Sequence, residues 1–209
     1  MNTKTYSILS LILLLLVLLF LCFQISDAED IFEFYHDEII YINHLYVENA
    51  SQLSADDKIT SEELNDRLFY LYRYSMTMES TGVEPRRRFK DVIAIIVHET
   101  RFVNFKSVDF GTGFGWFSMQ KDHIRTLDNY YQFERHSFNE ILSSDELQAK
   151  YVIANYEFLM SVYEDRFKAI LGYNKGHAGV KGEYRSEEYF LEVLGLIAYY
   201  DSKLRELNK

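Results

Sequence analysis

The chain has 209 residues, 48% of them hydrophobic and 26% charged, with one proline and nine glycines. This suits one folded domain with a substantial core and argues against disorder, collagen and repeat arrays. Lys and Arg number 22 against 32 Asp and Glu, a formal charge of -10, so the overall attraction that drives non-specific nucleic-acid binding is missing and no nucleic-acid partner is expected.

The single cysteine, Cys22, lies in an apolar stretch, which leaves neither a disulfide framework nor a cysteine-based zinc site. That stretch, Ile8 to Phe23, is uncharged and follows Lys4, the order of a basic region and a hydrophobic region in a membrane-directed segment. Its sixteen positions give roughly 24 Å of helix, short of a hydrocarbon core of about 30 Å. A signal peptide cut after Ala28 and an uncleaved anchor both fit. Lipidation of Cys22 fits less well, because Leu21 precedes it. Either way the remainder lies outside the cytoplasm. Residues 1-28 hold one charge of each sign, Lys4 and Asp27, so the acidity belongs to the exported part.

Few turn-forming residues interrupt that part, and it reads as all-α. Ile31 to Val47 has roughly helical spacing and the polar run Ser51 to Lys58 interrupts it. Thr60 and Glu63 form a capping box ahead of Leu64, Leu68 and Leu71, in a helix expected to close near Gly82. Pro85 suits the first turn of the next helix, where Val92 to Val97 is apolar on every side and so central to the core. The basic run Arg86 to Arg88 reads as a solvated face of that helix. Phe102 to Gly115, with glycines at alternate positions, reads as a loop. Ser137 with Glu140 and Ser143 with Glu146 are two further caps, the second opening a long helix from Asp145 to Leu171. Gly172 to Gly182 reads as a glycine-bearing loop, and Ser186 to Leu207 as a last helix with Tyr189, Val193, Ile197 and Tyr200 inward.

Glu99 ends the apolar run VIAIIVH and opens onto the glycine-rich loop. Burial and the partial negative charge of a helix C-terminus both favour the protonated carboxyl, the form a general acid needs. A carboxylate paired locally, for example with Arg101, is the alternative. His98-Glu99-Thr100-Arg101-Phe102 lacks the second histidine of a zinc-peptidase motif. His36, His44, His123, His136 and His177 show no ligand spacing, and Gly111 to Gly115 is not followed by a phosphate-loop Lys-Ser or Lys-Thr. Neither a metal nor a cofactor is expected.

Three segments taken together resemble the signature blocks of lytic transglycosylases and goose-type lysozymes. They are His98 to Phe102, Gly113 to Gln120 and Ala169 to Gly176, similar in order and approximate spacing to a Glu-Ser-x-Phe run, a Gly-Leu-Met-Gln run and an Ala-Tyr-Asn-x-Gly run. The similarity spans about Lys90 to Tyr200. It implies a lysozyme-like helical domain over 86-209, preceded by a helical extension, 29-85, and the membrane-directed segment, 1-28. By position, Glu99 would be the catalytic acid and base. Tyr173 and Asn174 would hold it and the sugar, and Gly176 would give a turn. Thr100 stands for the usual serine and keeps a hydroxyl. The family's second-block glutamine falls on Ser118 without a gap, or on Gln120 with a two-residue insertion. Trp116 and Phe117 suit a sugar-stacking surface or a core equally.

The resemblance implies a peptidoglycan substrate and cleavage with ring closure to a 1,6-anhydro product. A hydrolase would instead need a second carboxylate, for which Asp109 and Asp122 are the candidates. A glycan-binding protein that has kept the cleft and lost turnover is the rival from another class.

Overall fold

The computed structural model describes residues 59–79, 82–104, 113–180 and 186–207. Their regular elements are seven helices: α1 Ser61–Thr77, α2 Pro85–Glu99, α3 Lys121–Tyr131, α4 Phe138–Leu142, α5 Asp145–Tyr163, α6 Arg166–Val180 and α7 Ser186–Leu207. The described residues contain no strand, only an isolated bridge between Phe114 and Met119. None of the described helices is long and apolar enough to cross a membrane. Ile8 to Phe23 and the expected helix Ile31 to Val47 lie outside the described residues.

Helix α5 is the hub, packing against α1, α2, α3, α4 and α6. Its seven residues Tyr151 to Glu157 are all buried, so the segment has no solvent face to mark as polar. Helix α2 lies against α1, α5, α6 and α7. There Val92 to Ile96 are buried, as their unbroken apolar run requires. The path of α2 carries Glu99, its last residue, to where α6 and α7 meet it.

The helix starts follow local chemistry. Thr60 and Glu63 make the expected reciprocal box, with Glu63 N donating to Thr60 Oγ1 at 3.1 Å and Thr60 N to Glu63 Oε2 at 2.8 Å. Ser137 and Glu140 repeat it. Glu84 caps α2, accepting from the amides of Arg86 and Arg87. Helix α1 ends at Thr77, short of Gly82, because Met78 turns extended.

Four expectations are corrected. The helix expected from Asp145 to Leu171 is two helices, because Glu164 turns left-handed and Asp165 starts a new one by accepting from Lys168 N at 3.0 Å. Its cap is Ser144, not Ser143, which closes α4 instead. The loop expected at Gly172 is helix as far as Val180, so Gly176 lies within a helix rather than a turn. The packing of α6 against α5 and α7 outweighs the modest cost of glycine in a helix. Arg88 is not on a solvated face. It is fully buried, with Nε 2.6 Å from the equally buried Glu157 carboxylate. A guanidinium tolerates such a site only when a carboxylate is buried with it. Helix α3, which sequence reading passed over, buries Ile124, Leu127 and Asp128 on one side.

Candidate functional site

Glu99 is partly buried at the C-terminal end of α2. Asn174 on α6 donates its Nδ2 to Glu99 Oε1 at 2.5 Å. Tyr173, the preceding residue, donates its hydroxyl to the Phe117 carbonyl at 2.8 Å, which ties α6 to the second block. Tyr189 on α7 completes the group. Burial, and then the charge of Glu99, hold the phenols of both Tyr173 and Tyr189 well above the ordinary tyrosine range. Both hydroxyls therefore stay protonated around neutrality.

Tyr189 is buried, and its hydroxyl interacts with the Glu99 carboxyl. The Asn174 Oδ1 is buried without a hydrogen-bond partner among the described residues. A buried polar atom left open beside a carboxyl is one that a bound polar group would complete. The Tyr189 ring is itself held edge-on by His98, at 4.7 Å between centroids, and His98 Nε2 lies 2.7 Å from Glu192 Oε2. Sequence reading placed Tyr189 only among inward-packing residues. A tyrosine on the buried stripe of a helix needs a partner for its hydroxyl, and that need was the available signal.

The backbone after Glu99 is strained and externally held. Arg101 and Phe102 both have positive φ, 52° and 61°, a conformation costly for residues with a Cβ. Arg67 on α1 holds it by donating to the Phe102 carbonyl, and places its Nε 3.0 Å from Asp145. Asp145 also accepts from Trp116 Nε1 at 2.8 Å. The Trp116 amide donates to Asn104 Oδ1 at 3.0 Å and Gln148 Oε1 at 3.1 Å.

Residues Gly115 to Ser118 form the turn between the bridged Phe114 and Met119. Gly115 has φ 74°, and a Cβ there would lie 2.4 Å from Gln148 Oε1 and 2.5 Å from the Phe117 ring, so no other residue fits without displacement. Trp116 and Phe117 are both buried and fill the core rather than offer a stacking face.

The remaining candidates separate. Thr100 is buried, and its hydroxyl bonds to the Ile96 and Trp116 carbonyls, so it ties the end of α2 to the turn instead of facing a ligand. Ser118 directly follows the residue whose carbonyl Tyr173 holds. Gln120 is exposed and starts α3 without a side-chain cap bond. Asp122 is 95% exposed, 3.9 Å from Arg125, a solvated helix-surface pair. Asp109 lies outside the described residues, with the rest of 105–112 and with 181–185. Among the described residues no group of three or more His, Cys, Asp or Glu side chains could hold a metal ion.

Comparison with family models, curated proteins and solved structures gives no match for this chain.

Proposed function

We propose that this chain is a peptidoglycan lytic transglycosylase with a lysozyme-like helical domain, acting outside the cytoplasmic membrane. It would cleave the β-1,4 bond between N-acetylmuramic acid and N-acetylglucosamine, with Glu99 as acid and then base. The observation that carries the reading is the 2.5 Å bond from Asn174 to Glu99. It joins residues 75 positions apart that the family resemblance had singled out separately, in two different blocks. The Tyr173 bond to Phe117 links the third block to the second in the same way.

The chemistry follows from one carboxyl. Glu99 begins protonated and gives its proton to the glycosidic oxygen as the bond to the muramyl C1 breaks. The resulting carboxylate takes the proton of the substrate's own 6-hydroxyl, whose oxygen closes on C1 to form the 1,6-anhydro ring. Glu99 ends protonated, and no water is consumed. Asn174 fixes one carboxyl oxygen, which leaves the other for proton transfer. Tyr173 and Tyr189, neutral across the working range, add no negative charge beside a group that must itself become an anion. The solvated position of Asp122 supports ring closure over hydrolysis. Residues 8–23 would carry the enzyme through the membrane or hold it there, and neither cofactor nor metal enters the reaction.

The test is mass spectrometry of purified peptidoglycan incubated with the full-length protein in detergent, beside a Glu99→Gln control. The expected products are 1,6-anhydromuramyl ends that the control does not release. Reducing ends would transfer the reading to a hydrolase. Binding without any product would transfer it to a glycan-holding protein.

A further inference from the structure

A cavity of about 610 Å³ lies at the start of α2, the end opposite Glu99, within the size range of small-molecule sites. Fifteen helical residues separate the two places, roughly 20 Å at 1.5 Å per residue. Glu84 and Arg87 line the cavity from α2, Tyr156, Met160 and Glu164 from the end of α5, and Arg166 from the start of α6.

Its charges divide into used and unused. Asp91, fully buried beneath, accepts from Tyr156 Oη at 2.5 Å and from Arg166 Nε at 2.8 Å, which fixes both side chains of the cavity. Glu84 spends its carboxylate on the amides of Arg86 and Arg87. The Arg87 guanidinium and the Glu164 carboxylate have no side-chain hydrogen bond or ion pair with any described residue. A lone anion would meet the carboxylates of Glu84 and Glu164, and a lone cation would meet Arg87 and Arg166.

We infer that this cavity binds a small ligand bearing both a carboxylate and an ammonium group, an amino acid or a peptide end, with its carboxylate on Arg87 and its ammonium on Glu164. Met160 supplies the apolar surface between them. In the reading of Glu99 as a peptidoglycan enzyme, on which this extension rests, the ligand is a peptide branch of the polymer, held while the glycan lies at Glu99. The ligand class itself follows from the cavity alone.

The experiment uses the full-length protein in detergent with ¹³C-methyl methionine, because Met160 lines the cavity and Met119 closes the turn that Tyr173 and Thr100 hold. Titration with alanyl-lysine should shift the Met160 methyl saturably and leave Met119 in place. Amidating the peptide carboxylate, or acetylating its amines, should each weaken binding about tenfold, the scale of a lost charge-assisted hydrogen bond. Arg87→Ala should weaken the free peptide equally and abolish the sensitivity to amidation. Glu164→Gln should do the same for acetylation. Both residues are exposed, so both variants should fold. An unmoved Met160, a shift indifferent to both substitutions, or equal binding of inorganic phosphate would overturn the inference. Glu99→Gln should bind the peptide as the parent does, so a protein that binds but does not cut would fail the enzymatic reading alone.

Discussion

Two carboxylates on α2, Asp91 and Glu99, are eight positions apart and differently provided for. Asp91 is fully buried and accepts from both Tyr156 and Arg166, with each of its oxygens in use. Glu99 is partly open, receives a bond from Asn174 and interacts with the Tyr189 hydroxyl, and beside it Asn174 Oδ1 has no partner among the described residues. A buried charge with both oxygens hydrogen-bonded rigidifies the fold and has little left to offer a ligand. A carboxyl with an idle polar atom beside it holds capacity that folding has not used. On one helix, the degree of satisfaction separates a structural acid from the acid proposed to do chemistry.

The sharpest way to break this contrast is to make the same change at both places. Glu99→Gln should lower release of 1,6-anhydro products by about a thousandfold, the scale of a general acid–base contribution, and shift unfolding by less than about 0.5 kcal/mol. Asp91→Asn should cost about 3 kcal/mol in urea unfolding, because it leaves Arg166 and Tyr156 facing a neutral amide. Wherever that variant remains folded it should retain turnover per folded molecule. Equal stability losses from the two changes would erase the distinction.

A second change sharpens it at the Glu99 end. Gly115→Ala adds a methyl 2.4 Å from Gln148 Oε1 at φ 74°. It should cost about 2–3 kcal/mol and lower cleavage further than stability alone explains, since the turn carries the Phe117 carbonyl that holds Tyr173. Activity per folded molecule, measured beside Asp91→Asn at matched stability, checks this. Equal residual turnover in the two variants would mean the turn only supports the fold.

The same two regions show what the sequence could convey. The course of α2, its apolar run and its terminal glutamate were readable, because each is written in consecutive residues. So were the caps at Thr60 and Ser137, whose partners lie three residues away. Asn174 and Tyr173 came from the resemblance of short blocks, and their approach to Glu99 and Phe117 needed the packing of α6. Arg88 misled because two exposed arginines precede it, while the carboxylate that permits its burial, Glu157, is 69 positions away, counting from 88 to 157. Tyr189 was read as packing, since nothing local says which residue its hydroxyl will face. The break at Glu164 depends on one residue's left-handed backbone, and neither glycine nor proline marks it.

The smallest effect tests whether the Glu99 end depends on α1, which lies outside the region of resemblance. Arg67 of α1 donates to the Phe102 carbonyl, three residues after Glu99, so the strained turn is held from a helix whose first turn depends on Thr60. Thr60→Ala should cost about 1 kcal/mol, the usual worth of an N-cap, and lower cleavage slightly through Arg67. The acid side carries a sign. The hydrogen bonds from Thr60 hold the Glu63 carboxyl below its ordinary value of 4.5, so its contribution is complete above that value and is lost as pH falls through the lowered one. The parent should therefore lose somewhat more stability on acidification than Thr60→Ala does, so the gap between their urea midpoints should narrow at low pH without closing, since the Thr60 hydroxyl still caps the Glu63 amide there. Parallel midpoints across that range would show that the cap is not coupled to Glu63. Unchanged turnover with a weakened α1 would show that Arg67 holds the turn without its help.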